Sequence, residues 1–198
     1  MRSSSEHPGL RERKKAKTRV AIQQHAMRLF SEQGYAVTTV DQIAAAAEIS
    51  PSTFFRYFRT KEDVVLTDEY DPLLVEVFRT QPADLTPIQA MRATMTSVLG
   101  GMSAEDRAAE GERSKLLRST PELQYAYIEQ LTGVVQMLSK LVAERVGRPA
   151  EDIAVRSFAG ALIGVGLAAH LTAPYEQFDD YLAFFDQGLA QMEAGFPL

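Results

Sequence analysis

The side chains between Ser52 and Tyr57 have the chemistry needed to read and hold a nucleic acid. Ser52 and Thr53 carry short hydroxyl groups, and Arg56 carries a cation with several donors, which together suit the edges of bases in a major groove. Tyr57 carries a phenol, which suits a phosphate oxygen. These residue types predict a DNA-reading surface, provided that a helix presents them on one side.

A helix over this stretch is predicted by its start and by its apolar face. Ser50 is a favourable N-cap, and Pro51 suits the first helical position, where its missing N–H would lack a partner in any case. Phe54 and Phe58 are four residues apart, so they share the face opposite the polar groups. We therefore expect the two phenylalanines to anchor the helix in a core.

A second short helix is predicted directly before the first. Thr39 and Gln42 form a capping-box pair, in which each side chain satisfies a backbone N–H of the first turn. Glu48 and Ile49 are left for a tight turn, so the arrangement is a helix-turn-helix; an ordinary helical hairpin with a polar outer face remains the alternative. A narrow apolar stripe supports the earlier helix: Val40, Ile43, Ala44 and Ala47.

The same residues resemble the DNA-binding signature of the TetR family of bacterial transcriptional regulators. The resemblance covers about residues 11–65 and is carried by the segments 38–44, 49–58 and 61–63. Glu48 departs from it, because many members have glycine at the turn. A non-glycine residue at positive φ is strained by about 1–2 kcal/mol, so we expect a slightly different turn here.

The DNA contacts are predicted from these segments. Ser52, Thr53 and Arg56 are the candidates for base contacts. Lys61 lies in the first turn of a helix that Thr60 caps, where a cation opposes the helix dipole, so a nearby phosphate explains it better than helix stability does. Backbone positioning is expected from the remaining candidates: Thr39, Ser50, Phe55, Tyr57 and Lys61.

Charge divides the chain into a basic beginning and an acidic remainder. Residues 1–60 contain ten Lys or Arg and five Asp or Glu, whereas residues 61–198 contain eleven and twenty-one. A solvated charge run would explain Arg11 to Arg19 alone, but not their coincidence with a helix-turn-helix. The asymmetry indicates a protein that meets DNA at one end.

Composition excludes several other classes. The chain of 198 residues has no cysteine, which excludes a disulfide framework, thiolate zinc sites and thiol catalysis. No histidine pair has metal-ligand spacing, and the loose dinucleotide fingerprint at 164–169 has no strand before it, so we expect neither metal nor cofactor. We find no signal-peptide pattern, and the apolar run at 158–169 is shorter than the roughly 20 residues of a membrane span. We expect a cytoplasmic protein without a membrane partner.

Helical patterns continue to the end of the chain and predict an all-α fold of nine helices. With the resemblance, they imply a TetR-like fold: a flexible arm at 1–10, a helix-turn-helix domain with three helices at 11–59, and a ligand-binding and dimerisation domain at 60–198. Pro72 interrupts the helix after Thr60, so we expect a kink or break near Tyr70 and Asp71. That break is either a hinge or a static bend.

Small residues near the C-terminus suggest a helix–helix interface. Gly160, Gly164 and Ala168 recur every four residues, which allows close approach of another helix, and the last helix offers aromatic side chains in reply. The resemblance implies a four-helix dimer interface here; burial within one subunit is the alternative. The predicted interface residues are Gly160, Ile163, Gly164, Leu167, Ala168, Leu171, Tyr181, Phe184, Phe185 and Leu189.

An apolar chamber for an effector is predicted inside the helical body. Methionine lines adaptable binding surfaces, although it is more often plain core filler. Arg113 and Arg118 could meet an acidic group of the ligand, although a solvated face is the alternative. The predicted ligand-binding residues are Met91, Met95, Leu99, Met102, Arg113, Leu117, Arg118, Tyr125, Leu131, Phe158 and Leu162.

These features predict a homodimeric transcriptional regulator, a repressor that binds a palindromic operator and is released by a small hydrophobic, anionic effector. The body more weakly resembles regulators that bind long-chain acyl-type effectors. An all-helical enzyme is the first rival, but no carboxylate pair, nucleophile–base pair or nucleotide loop supports it. A sequence-independent architectural DNA-binding protein is the second.

Overall fold

The computed structural model describes residues 10–67, 71–172 and 178–197. These ranges are helical and contain no strand. The chain forms two compact units, the head (Met1–Thr67) and the body (Asp68–Leu198). The predicted arm at 1–10 lies outside the described ranges except for Leu10, which begins the first helix.

The head is built from four helices whose starts are fixed by hydroxyl caps. The side-chain oxygens of Thr39, Ser50 and Thr60 each accept a backbone N–H from the first turn that follows. Gly34 follows the first helix with φ 93°, a left-handed conformation that suits glycine. The helices are α1 (Leu10–Gln33), α2 (Val40–Ala46), α3 (Pro51–Tyr57) and α4 (Lys61–Leu66). Their core contains Ile22, Ala26, Phe30, Tyr35, Ile43, Ala44, Phe54, Phe58, Val64 and Val65.

The fourth helix belongs to the head, so the division of the chain falls at Thr67 and not at the predicted boundary between 59 and 60. Val64 and Val65 are fully buried, and the Gln23 side-chain amide donates to the carbonyl oxygens of Val64 and Thr67 at 2.9 and 3.0 Å. The sequence misleads here because the cap at Thr60 also suits a helix that continues into the body.

The described part of the body contains six α-helices and one π-helical segment. The described part of the chain therefore has ten α-helices, and not nine, because the helix predicted after Thr60, with a kink or break near Tyr70 and Asp71, is two helices. Pro72 is the second residue of the later one, where its missing N–H is tolerated; Tyr70 lies outside the described residues. The elements are α5 (Asp71–Thr80), α6 (Pro87–Gly100), α7 (Ala104–Ser119), α8 (Pro121–Val146), α9 (Ile153–Leu167), the π segment (Ala168–Thr172) and α10 (Phe178–Glu193).

Two apolar clusters hold the centre of the body. Met95 packs against both, so it connects them. The Phe78 cluster contains Phe78, Ile88, Ala90, Met91, Leu141, Leu162, Val165 and Leu189. The Phe178 cluster contains Val98, Leu99, Met102 and Phe178.

Candidate functional site

The polar side of α3 is accessible because the other side is buried. Phe54 and Phe58 are 0% and 2% exposed, and their ring centroids lie 5.8 Å apart. This anchoring fixes the helix with its polar residues outward, as predicted. Ser52 and Arg56 are exposed, and Thr53 and Tyr57 are partly exposed.

Three hydroxyl groups form a linked cluster at the start of α3. Ser50 Oγ lies 2.9 Å from both Ser52 Oγ and Thr53 Oγ1, and it accepts the Thr53 N–H at 3.1 Å. Because hydroxyl groups rotate, Ser52 and Thr53 can exchange these bonds for a base edge or a phosphate. The Arg56 guanidinium lies 5.7 Å from the centre of the Tyr57 ring.

The turn between α2 and α3 contains a strained residue. Glu48 has φ 55°, in the left-handed region. The N–H groups of Glu48 and Ile49 donate to the carbonyls of Ala45 and Ala44 at 3.1 and 2.9 Å, which closes the turn around it. The turn thus keeps a left-handed residue without glycine, at a cost of about 1–2 kcal/mol.

Lys61 has partners in the head that the sequence does not reveal. Its ammonium donates to the carbonyl oxygens of Tyr35 at 2.8 Å and Thr38 at 3.1 Å. It also lies 4.0 Å from the centre of the Tyr35 ring, a cation–π distance. These contacts offset the unfavourable helix dipole, so a phosphate is no longer needed to explain a lysine at this position.

Tyr35 and Glu62 complete this group and were missed as functional candidates. The Tyr35 hydroxyl donates to Glu62 Oε1 at 2.7 Å. Burial raises the pKa of Glu62, but hydrogen bonds from Tyr35, from its own backbone N–H and from Thr60, with the charge of Lys61, outweigh burial, and the net pKa is lowered. The carboxylate is therefore held ionised beside the lysine. Lys61 and Glu62 are 26 and 27 residues from Tyr35 in the sequence, so no local pattern indicates these contacts.

The predicted ligand-binding residues divide into two groups. Met91, Leu99, Met102, Leu117 and Leu162 are buried, and Met95 and Phe158 pack against the clusters. Leu131 is half-buried. Tyr125 is 67% exposed, so its assignment to an inner wall is wrong for the free subunit.

A polar and aromatic group surrounds the π segment. His170 is 8% exposed, and its ring centre lies 5.6 Å from that of Tyr127 and 6.1 Å from that of Tyr181. Burial lowers the pKa of His170 to about 4, with further contributions from the charges of Arg113 and Arg118. The two predicted ligand arginines therefore lie near a buried neutral histidine, which the sequence alone did not single out.

Arg113 is itself engaged within α7. Its Nε donates to Glu110 Oε2 at 2.8 Å, and both side chains are largely buried. A ligand carboxylate would have to share this arginine with Glu110. Arg118 is half-exposed at the end of the same helix.

The predicted dimer residues also divide between inside and outside. Leu189 is fully buried in the Phe78 cluster. Tyr181 and Phe185 stack on each other, with centroids 5.9 Å apart, and pack against the two clusters. The full burial of Leu189 contradicts its assignment to a surface between subunits, because α10 is apolar on more than one side. Tyr181 and Phe185 are partly exposed, so their assignment to the interface stays a prediction.

The remaining dimer candidates are more accessible. Phe184 is 48% exposed, and a Cβ added at Gly160 or Gly164 would meet none of the described atoms within 4 Å. Ile163 and Leu167 are half-buried, Ala168 is exposed, and the side chain of Leu171 lies outside the described residues. Close packing of α9 on α10 instead uses Gly188, where a Cβ would lie 2.5 Å from Val165 Cγ1.

Helix α9, which carries Gly160 and Gly164, is apolar enough to be considered as a membrane span. The 18 residues Ile153–His170 have a mean hydropathy of 1.5, a longer window than the run at 158–169, and 33% of the window is buried. Core helices pass the same test, so this is weak evidence for a membrane. It does show an apolar helix with a large uncovered side.

Family models match both units. The model of bacterial regulatory proteins of the tetR family matches residues 22–67, and the MftR C-terminal domain matches residues 85–197. The chain belongs to the TetR family of transcriptional regulators. This TetR-family regulator accordingly has a helix-turn-helix DNA-binding head, and the family is not enzymatic.

Individual relatives agree with the family. The HTH-type transcriptional regulator TcmR of Streptomyces glaucescens is 36% identical over 76% of this chain and 70% of its own length. The putative mycofactocin biosynthesis transcriptional regulator MftR of Mycobacterium tuberculosis is 27% identical over 80% of each chain.

Solved structures share the fold. FadR of Thermus thermophilus, a transcriptional repressor in complex with lauroyl-CoA, is 27% identical with a TM-score of 0.55 over 91% of this chain and 95% of FadR. The SmeT–triclosan complex is 20% identical with a TM-score of 0.53 over 88% and 90% of the two chains, which supports the fold alone.

Proposed function

We propose that this TetR-family regulator is a ligand-responsive repressor that binds a palindromic operator as a homodimer and leaves it when a small hydrophobic effector binds the body. One observation carries the DNA-reading part. The buried Phe54 and Phe58 hold α3 so that Ser52, Thr53 and Arg56 face outward.

The proposed DNA contacts follow from exposure and chemistry. Ser52, Thr53 and Arg56 read base edges, because they lie on the accessible side of α3. Thr39, Ser50, Phe55 and Tyr57 position the head on the sugar–phosphate backbone. The protein acts in the cytoplasm, where operator DNA lies.

The proposed dimer uses the uncovered side of α9 with the exposed part of α10. Gly160 and Gly164 leave open space beside α9, and Phe184 on α10 is exposed. A second subunit would cover this apolar surface, and small residues allow its helices to approach closely. Two heads in a dimer reach half-sites about 34–36 Å apart, one turn of DNA.

The dimer is tested by Gly164→Leu. Because none of the described atoms outside the backbone of α9 lies within 4 Å of a Cβ at this position, the variant is expected to fold and to be monomeric in solution scattering. Gly133→Leu is the matched control, since Gly133 is also open, on α8, and is expected to leave the dimer intact. A dimeric Gly164→Leu variant contradicts the interface.

The proposed effector is a bulky hydrophobic molecule with an acidic group. The apolar clusters joined by Met95 supply a surface for its chain, and Arg113 and Arg118 supply cations for its acid. FadR, which shares this fold, is in complex with lauroyl-CoA, and SmeT is in complex with triclosan. FadR supports a hydrophobic effector, and a long acyl chain is the first class to test.

The whole proposal is tested by selecting an operator from random DNA and titrating effectors into the complex. Fatty acyl thioesters are expected to release the wild type, whereas Met95→Arg, which places a charge between the clusters, is expected to respond weakly. Tyr125→Arg is the control, because Tyr125 is exposed in the free subunit. If no hydrophobic acid releases the wild type, or if Met95→Arg responds as well, the effector site is wrong.

A further inference from the structure

The starting observation is that α4 is fastened to the turn between α1 and α2 by its first two residues. Lys61 donates to the carbonyl oxygens of Tyr35 and Thr38, and Glu62 accepts from the Tyr35 hydroxyl. Tyr35 is 7% exposed and Thr38 is 1% exposed. The contacts are thus partly or fully shielded from water, where charge-assisted hydrogen bonds are strongest.

The same group continues to the start of α2. The Thr38 hydroxyl donates to the Gly34 carbonyl at 2.7 Å and accepts from Gln33 Nε2 at 3.0 Å. Gln33 Nε2 also lies 3.1 Å from Gln42 Oε1. Gln42 Oε1 in turn accepts the N–H of Thr39 at 2.8 Å, which is one half of the capping box of α2.

An unbroken path of polar contacts therefore joins the start of α4 to the start of α2. α2 packs on α3 through the turn at Glu48, so the first turn of α2 helps to set the position of the reading helix. A shift of the start of α4 would therefore either break these hydrogen bonds or move the start of α2 with it. A rigid connection of this kind suits a head that must meet base edges with a fixed geometry.

We propose that Lys61, Tyr35 and Glu62 form a latch that positions α2 and α3 for operator reading, and that Lys61 acts by this latch and not by holding a phosphate. The inference rests on the proposed operator binding. The three are positioning residues, because none of them is assigned a contact with a base.

The two roles of Lys61 predict different measurements. A phosphate contact contributes to all duplexes alike, and its loss reduces the slope of log affinity against log salt by about 0.9. A positioning residue contributes to the affinity for the operator, because α3 must fit the base edges there. It contributes little to the affinity for random DNA, where no such fit is required. The ratio of operator to random affinity and the salt slope on random DNA together distinguish the roles.

The test uses the full-length protein with Lys61→Met, which keeps an apolar stem and removes the ammonium. Affinity for the selected operator is expected to fall about tenfold or more, from the loss of two charge-assisted hydrogen bonds. Affinity for a random duplex and its salt slope are expected to stay unchanged. Lys15→Met is the control, because Lys15 is an exposed lysine on α1. If Lys15 contacts phosphate, this variant should weaken binding to the operator and to the random duplex equally, and otherwise it should leave both affinities unchanged.

Tyr35→Phe is the second variant, and it keeps the aromatic ring while removing the bond to Glu62. It is expected to lower the operator-to-random ratio several-fold and to speed amide hydrogen exchange in the first turn of α2. This variant decides the matter if Lys61→Met fails to fold by circular dichroism, because the Tyr35 ring still fills the core.

Three outcomes overturn the latch. Equal losses on both duplexes with a smaller salt slope would make Lys61 a phosphate contact. An unchanged operator-to-random ratio in folded Lys61→Met, or in Tyr35→Phe, would show that the bonds position nothing. A wild type without preference for any selected duplex would overturn the proposed function, and the latch with it.

Discussion

The head and the body both combine hydroxyl-capped helices with an apolar core, and they differ in which of the two lies at the proposed binding site. In the head, hydroxyl caps at Thr39, Ser50 and Thr60 and the bonds of Lys61 fix the helix ends by directed hydrogen bonds. In the body, two apolar clusters joined by Met95 fill the centre. Directed bonds hold one geometry, whereas apolar packing tolerates rearrangement when volume is kept. The difference suits a head that reads a fixed pattern and a body that accommodates a ligand.

Charged groups in the body reinforce this contrast, because most of its ion pairs lie at the surface. Arg92 bridges Asp186 and Glu193 at 2.9 Å each, and this arginine lowers the pKa of Asp186 by hydrogen bonding. Arg79 pairs with Glu144, also at 2.9 Å. Such exposed pairs contribute little each, so the body depends on its clusters.

Phe54→Ala should have the largest effect on stability, because it removes a fully buried ring from the core of the head. Removing a fully buried ring costs about 3–5 kcal/mol of unfolding free energy. Amide hydrogen exchange should accelerate across α1 to α4 while the body helices keep their protection. Phe55→Ala is the control, because Phe55 is 54% exposed and should leave stability nearly unchanged. Simultaneous loss of protection in both units would show that they do not unfold separately.

Acid should destabilise the body through His170. The pKa of this histidine is about 4 in the folded chain, below the ordinary 6.5, so the unfolded chain takes up the proton first as the pH falls. The contribution of the neutral histidine to the free energy of unfolding is fully present above pH 6.5. It is lost as the pH falls from 6.5 to 4, by about 3 kcal/mol in total.

Urea unfolding of the body at pH 7.5 and pH 4.5 measures this loss. His170→Gln should remove the pH dependence in that window, and His25→Gln in the head should leave it in place. An unchanged pH dependence in His170→Gln would assign the acid sensitivity to another group.

Two glycines of the body should respond oppositely to alanine. Gly188→Ala places a methyl group 2.5 Å from Val165 Cγ1, and overpacking of this kind costs about 1–3 kcal/mol. Gly133→Ala on α8 meets none of the described atoms within 4 Å and should stabilise the helix by about 0.5–1 kcal/mol. Urea unfolding of both variants, with Gly188→Ala/Val165→Ala as the relieved double variant, tests whether α9 and α10 pack through Gly188. Equal effects of the two alanines would contradict that contact.

Arg56→Ala should have the smallest effect on folding and should weaken DNA binding instead. Operator binding should lose about 1–3 kcal/mol and base preference should relax, if the guanidinium makes a bidentate base contact. Arg59→Ala is the neighbouring control, since Arg59 is exposed and paired with Asp63 at 3.2 Å. Equal losses of Arg56→Ala on operator and random DNA would reduce its role to phosphate binding.

The head could be predicted in more detail than the body because its signals are local. A cap and the residue that it binds lie three residues apart, so Thr39 with Gln42 can be recognised within one turn of sequence. Ser50 followed directly by Pro51 is an equally local signal, and the structure confirms both helix starts. Lys61 shows the limit of this approach. Its position against the helix dipole was visible, but its partners are 23 and 26 residues away.

The errors in the body have a common origin in helices that are apolar on more than one side. Tyr125 lies two residues from Leu123 and from Tyr127, which places it on the opposite side of α8 from the fully buried Leu123. On α10, Phe184 is exposed while Leu189 is buried, and both would satisfy an apolar pattern. Which side packs inward depends on contacts between distant helices, such as Val165 with Gly188.

The bonds of Lys61 to main-chain oxygens make the loop at 35–38 sensitive to its length. Lys61 reaches the carbonyl groups of Tyr35 and Thr38, so it does not depend on the side chains between them. Ala36 and Val37 are exposed and are free to change in type. Adding or deleting one residue there would move an acceptor out of reach of the ammonium. Unlike most surface loops, which accept insertions readily, this one should tolerate substitution and reject insertion.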